Sequence, residues 1–217
     1  MKTSIILFTF LLLHFTAWAQ DCELIMREFI NELSYELDTT DTETYESILI
    51  EQKMIPITKK SEDYFLEDYP NIFVKEGLCY YFKTKYGEEL KACAIDTASD
   101  SKDNHQYEFK GQYCNKSLIF ISGYESWGYL SVDLLDGTVF STLGSPKTSD
   151  CKLIYSYSQY YGEEEITIVD VIAKKQLVLI IDSWYTEESK QEANKIFLKM
   201  KSTNCPEKVK HIKITVN

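Results

Sequence analysis

Tyr129-Leu130-Ser131-Val132-Asp133 is a run of strand-type residues closed by an aspartate, and it has two counterparts, Ala92-Cys93-Ala94-Ile95-Asp96 and Thr167-Ile168-Val169-Asp170. The three aspartates stand at equal intervals of 37 residues. Short apolar runs bounded by turn residues read as strands. Ahead of each run lies a second one that can serve as its hairpin partner: Cys79–Lys83, Leu118–Ser122 and Leu153–Tyr157. The turn Tyr86-Gly87-Glu88-Glu89 returns as Tyr161-Gly162-Glu163-Glu164, and Ile196–Met200 with Ile212–Val216 reads as a degenerate fourth unit.

A fixed period of this size marks stacked supersecondary units, each of which needs neighbours to bury its apolar face. The expected fold is therefore mainly β, with antiparallel blade-like units forming a small or incomplete propeller-like array over residues 76–217. The middle unit carries a resemblance. Val132-Asp133-Leu134-Leu135-Asp136-Gly137-Thr138-Val139, followed by Leu143-Gly144-Ser145-Pro146 and Thr148–Tyr155, resembles the blade repeat of TolB-like β-propellers. There a strand ends in Val-Asp-Leu, a glycine turn follows, and a Pro-containing loop leads to a Ser-Pro-Asp-Gly turn. Ser149-Asp150-Cys151-Lys152 stands where that last turn would be, without its Pro and Gly. The resemblance spans about residues 78–185 and implies architecture, not activity, because propellers host many functions.

Upstream, Met1–Ala19 reads as a secretory signal peptide: Lys2, the apolar run Ile5–Leu13, then Ala17-Trp18-Ala19 as a small-x-small cleavage pattern. A membrane anchor would need about 20 apolar residues, and His14, Gln20 and Asp21 interrupt this one. Asp21 before Cys22 also disfavours lipoprotein processing. No membrane anchor is expected after cleavage, and the destination is the periplasm or the medium. Residues 20–75 read as an N-terminal helix and linker. Ile25, Met26, Phe29, Ile30, Leu33 and Leu37 recur at spacings of three and four residues, as on one helix face capped by Asp21. Thr39–Thr44 reads as a solvated linker.

Six cysteines in an exported chain predict three disulfides. Cys79 and Cys93 lie equally far from Tyr86, so a hairpin with the loop Lys85-Tyr86-Gly87 sets them opposite each other. Cys114–Cys151 and Cys22–Cys205 follow by elimination. The cysteines and histidines lack zinc-type spacing, and no metal or cofactor is expected.

The full chain carries 23 basic and 34 acidic residues, a net charge of −11. That balance disfavours nucleic acid and anionic membrane surfaces. No Gly-x-Ser-x-Gly elbow occurs. His105 sits in a polar loop, and His211 in a Lys-flanked stretch expected to face solvent, neither with a recognisable partner. Asp96, Asp100, Asp103 and Asn104 crowd one loop but do not follow the order of a calcium loop. Asn115-Lys116-Ser117 is a glycosylation acceptor in a eukaryotic host. No catalytic residue is assigned.

The aromatics carry the most distinctive signal. Tyr80, Tyr81, Tyr155 and Tyr157 are expected to pack along strands, whereas Tyr124, Trp127, Tyr160, Tyr161, Trp184 and Tyr185 fall at hairpin ends beside Glu163 and Glu164. Tyr and Trp are enriched in protein-recognition surfaces. The expectation is an exported, non-enzymatic binding module for a protein or peptide, on a surface that would also suit a sugar or a cationic partner. Two alternatives are a glycan- or peptide-cleaving hydrolase using loop carboxylates and an exported inhibitor or immunity-type protein.

Overall fold

Strands dominate the computed structural model, which describes residues 22–48, 53–94, 105–123 and 126–217. Two strands open it, β1 (Ile25–Asn31) and β2 (Tyr35–Thr40), followed by two short helices, α1 (Thr42–Ser47) and α2 (Glu62–Asp68). The remaining strands follow in four groups: β3 (Phe73–Glu76), β4 (Cys79–Lys83) and β5 (Glu89–Cys93); β6 (His105–Tyr113), β7 (Lys116–Gly123), β8 (Ser126–Asp133) and β9 (Val139–Thr142); β10 (Leu153–Tyr160), β11 (Glu163–Asp170) and β12 (Lys175–Asp182); β13 (Trp184–Glu192), β14 (Lys195–Ser202) and β15 (Val209–Val216).

Each group forms an antiparallel sheet, and the two opening strands complete the last two. The orders are β3-β4-β5, β6-β7-β8-β9, β1-β12-β11-β10 and β13-β14-β15-β2. The fold is thus mainly β with four antiparallel sheets, and the described residues form no closed barrel or propeller. Three core clusters join sheets that are consecutive in the chain. Phe65 of α2 packs with Phe73 and Phe82 of the first sheet and with Ile119 and Val132 of the second. Tyr113 and Leu118 meet Ile154 and Val169 of the third. Ile166, Ile168 and Leu179 of the third sheet face Trp184, Leu198 and Ile212 of the fourth. Burying one such side chain fully stabilises the fold by about 1.5–3 kcal/mol.

The helix expected over residues 22–37 is replaced by β1 and β2. A helical face would bury Phe29, Ile25 and Leu37, yet these are 74%, 48% and 43% exposed. The spacing misleads because β1 carries a bulge. Glu28 pairs with Leu179 and Ile30 with Val178, so Phe29 is the extra residue and shifts the two-residue alternation. Nor is Thr39–Thr44 a linker: Thr39 and Thr40 end β2, and the Asp41 side chain caps α1 by accepting from the Thr44 N–H at 2.6 Å. Asp21, the leader Met1–Ala19 and the loop 96–104, with Asp96, Asp100 and Asp103, lie outside the described residues.

All three expected disulfides form: Cys79–Cys93, Cys114–Cys151 and Cys22–Cys205. Cys79 and Cys93 are directly opposed across β4 and β5. The Thr84 N–H donates to the Glu88 carbonyl and closes the loop Lys85-Tyr86-Gly87, with Gly87 at φ +86°. Three bridges suit an oxidising, extracellular or periplasmic environment. No helix among the described residues is long and apolar enough to cross a membrane.

Candidate functional site

The hairpins β7–β8 and β10–β11 lie in adjacent sheets and bring Trp127 of one beside Tyr160 of the other. Gly123 pairs with Ser126 and Tyr160 with Glu163. The second turn has two residues, Tyr161 at φ +48° and Gly162 at φ +87°. Two positive φ values are what a type I′ hairpin turn requires. Glycine meets that demand freely, whereas a tyrosine held there costs about 1–2 kcal/mol. The strained residue stands at the tip with 74% of its surface exposed.

Trp127, near the start of β8, reaches across to the neighbouring sheet. Its ring centroid lies 4.8 Å from Tyr160, and Tyr160 lies 4.4 Å from Tyr161, both edge-to-face. Trp127 also lines an open groove of 430 Å³ whose walls include Tyr107, Ile121, Tyr129, Leu143 and Glu165. Burial raises the Tyr107 phenol above its ordinary pKa, keeping it neutral. Beside the tip, the Glu163 carboxylate accepts from Arg27 at 2.7 Å, and the same guanidinium reaches Asp182 at 2.9 Å. The Glu165 carboxylate accepts from the Thr167 hydroxyl at 2.8 Å.

Trp127, Tyr160, Tyr161 and Glu163 of the expected site therefore gather at one end of the strands. Two others do not. Trp184 is fully buried in the core between the third and fourth sheets, where its indole N–H donates to the Glu23 carbonyl at 3.1 Å. Glu164 is 2% exposed and accepts hydrogen bonds from the Thr186 N–H and hydroxyl. Burial raises its pKa, and the bonds from Thr186 oppose the rise. The physical reason is parity: Glu164 shares its face of β11 with Ile166 and Ile168, which are core residues. Tyr185 is half-buried and pairs with Lys201 in the fourth sheet. Tyr124 lies outside the described residues. Tyr80 and Tyr155 are buried, as expected of strand tyrosines.

His211 is not at the surface either. It is 6% exposed on β15, an interior strand of the fourth sheet, and stacks on the buried Tyr45 ring at 4.5 Å. The Lys190 ammonium sits 4.4 Å from the centre of that ring and donates to the Tyr45 carbonyl at 2.9 Å. This buried group joins α1 to the fourth sheet. Its immediate neighbours in the sequence, Lys210 and Ile212, give no sign of it. Asn115 sits at the β6–β7 turn with its side-chain amide nitrogen buried, a poor presentation for glycosylation.

The opposite ends of the same strands build a second concavity, missed by sequence reasoning, of 610 Å³. Loops of the first three sheets meet there. Asp133 ends β8 and Asp170 ends β11, and both line it. Lys116, 4% exposed, donates to Asp133 at 2.7 Å. Gly137, at φ +73°, lets the β8–β9 turn approach the first sheet, because a Cβ there would lie 2.1 Å from the Lys83 carbonyl oxygen. Burial works to raise the Asp136 pKa, but hydrogen bonds from Lys174 and Thr138 prevail and lower it to about 2.

Compared with known proteins, the chain matches no family model, no curated protein and no solved structure.

Proposed function

We propose that this is an exported binding module assembled from blade-like β units, resembling those of TolB-like propellers, and that it docks a basic protein or peptide on the aromatic end of its second and third sheets. The observation that carries this reading is the ring series Trp127–Tyr160–Tyr161, which crosses from one sheet to the next and leaves its last member 74% exposed. Exposed, geometrically fixed Tyr and Trp side chains are what recognition surfaces concentrate at their centres. The acidic surroundings, Glu163 and Glu165 on a chain of net charge −11, suit a cationic partner, as do the faces of the rings themselves. Among the described lining residues the groove holds one carboxylate, Glu165, already bonded to Thr167. The other acid beside it, Glu163, is paired with Arg27, so neither carboxylate stands ready as a member of a hydrolytic pair, and docking is favoured over cleavage.

A lysine-rich peptide titrated into the exported protein tests the reading by isothermal calorimetry, a readout that does not depend on Trp127 itself. Binding is expected to weaken at least tenfold in Trp127→Ala/Tyr161→Ala, with thermal stability retained. Unchanged affinity in the double variant removes this face from the interaction.

A further inference from the structure

The cavity at the other end of the strands already holds an ammonium group, supplied by the chain itself. The Lys174 Nζ donates to Asp136 Oδ2 at 2.9 Å and to the Thr138 hydroxyl at 2.9 Å, and it lies 5.0 Å from the centre of the Tyr86 ring. A carboxylate, a neutral acceptor and an aromatic face are the three kinds of group that recognise an alkylammonium. They come from two sheets: Tyr86 from the β4–β5 loop, Asp136 and Thr138 from the β8–β9 turn. The Lys85 N–H donates to the Asp136 carbonyl at 2.9 Å and fixes the two loops to each other.

Behind Lys174 the cavity is lined by Phe82, Leu130, Val139, Phe140 and Val169, a surface suited to a methylene chain. Its charges are unbalanced. Lys116 is taken up by Asp133 and Glu89 by Lys83, while Glu32, Glu88 and Asp170 also line the space, opposed by Lys175. Lys174 itself enters from outside: its side chain is 43% exposed and it sits in a surface turn at φ +54°, while its partner Asp136 is 13% exposed. An internal ligand of this kind can be exchanged for an external one of the same chemistry.

We infer that this cavity is a binding site for a primary alkylammonium carried on an apolar chain, and that the Lys174 side chain is its built-in competitor. Two sources share the chemistry, a free diamine and a lysine side chain on a peptide.

The test is isothermal titration of the exported protein with 1,5-diaminopentane and, separately, with Nα-acetyl-lysine N-methylamide. Lys174→Gly, which suits the left-handed backbone at that position, opens the site, and Lys174→Asn serves as a second opening variant. Both are expected to bind at least one probe tenfold or more tightly than the wild type. Adding Asp136→Asn, which keeps an oxygen acceptor for the Thr138 N–H, is expected to abolish the gain, and Tyr86→Leu to reduce it. Binding of the diamine alone assigns a free amine, and binding of the lysine derivative alone assigns a peptide side chain. The proposal is overturned if neither opening variant binds either probe more tightly than the wild type, if Asp136→Asn leaves the gain intact, or if hexanoate binds as well as the amines.

Discussion

Cys114 and Cys151 occupy the same position in two successive units, 37 residues apart, and are bonded to each other. Each stands two residues before a strand, β7 or β10, and each has a left-handed backbone, at φ +47° and +63°. The bridge therefore ties equivalent corners of the second and third sheets. A left-handed non-glycine residue costs about 1–2 kcal/mol, and here the cross-link offsets that cost. Replacing both cysteines with alanine is expected to lose about 3–4 kcal/mol of loop-closure stabilisation while keeping the backbone strain. Replacing both with glycine is expected to be milder by about 1 kcal/mol per position. Urea denaturation of the two double variants measures the difference, and equal midpoints would contradict the role given to φ.

Asp133 and Asp170 repeat the relationship at the same, open end of the hairpins. Lys116 pairs with Asp133 as Leu153 pairs with Asp170, and Tyr129 with Thr142 as Ile166 with Leu179, so the register itself shifts by 37 residues. Each carboxylate accepts from the N–H two residues on, Leu135 at 2.8 Å and Ile172 at 2.9 Å. Their charges differ in consequence, because only Asp133 faces a buried lysine. Asp133→Asn keeps the turn bond but leaves Lys116 charged and buried without its counter-ion, at an expected cost of about 3 kcal/mol or more. Asp170→Asn is expected to cost less than about 1 kcal/mol. Equal losses in chemical denaturation would refute the asymmetry.

The registers of the second and third sheets are legible in the sequence because hairpins are local: strand, turn and partner fall within 20 or so residues, and turn chemistry marks their ends. The Cys79–Cys93 bridge is legible for the same reason. β1 is not, since its partner β12 lies about 150 residues on, with Ile25 opposite Asp182, and the bulge at Phe29 mimics a helical spacing. Glu164 and Trp184 show a different failure. Their acidic and aromatic character suggests a surface, but the alternation of Ile166 and Ile168 puts Glu164 inward, where it meets Thr186, a buried neighbour of Trp184 on the same face of β13. The ammonium cage escapes local reading altogether, being assembled from loops 36 to 88 residues apart.

His211 makes stability depend on acid. Burial, reinforced by the nearby Lys199, lowers its pKa below the ordinary value of 6.5. The unfolded chain therefore takes up the proton first, and stability is lost as the pH falls below about 6.5 toward the depressed folded value. His211→Phe keeps an aromatic ring against Tyr45 and removes the proton. The variant's stability is expected to fall less than that of the wild type between pH 7 and pH 5. Parallel thermal-denaturation curves across that range would assign the acid sensitivity to other groups.

Glu164 has the opposite sign. Its folded pKa is raised, so the folded state holds its proton more firmly than the unfolded chain does. The stabilising contribution is complete below the unfolded value of about 4.5 and is lost as the pH rises through the folded pKa. The third and fourth sheets thus meet over a buried acid whose described partners are the Thr186 N–H and hydroxyl. Glu164→Gln retains an oxygen acceptor and removes the titrating group. It is expected to raise the melting temperature by a few degrees at pH 7, with the advantage over the wild type shrinking toward pH 4. A variant less stable than the wild type at both pH values would show that the carboxylate's bonds to Thr186 outweigh its burial.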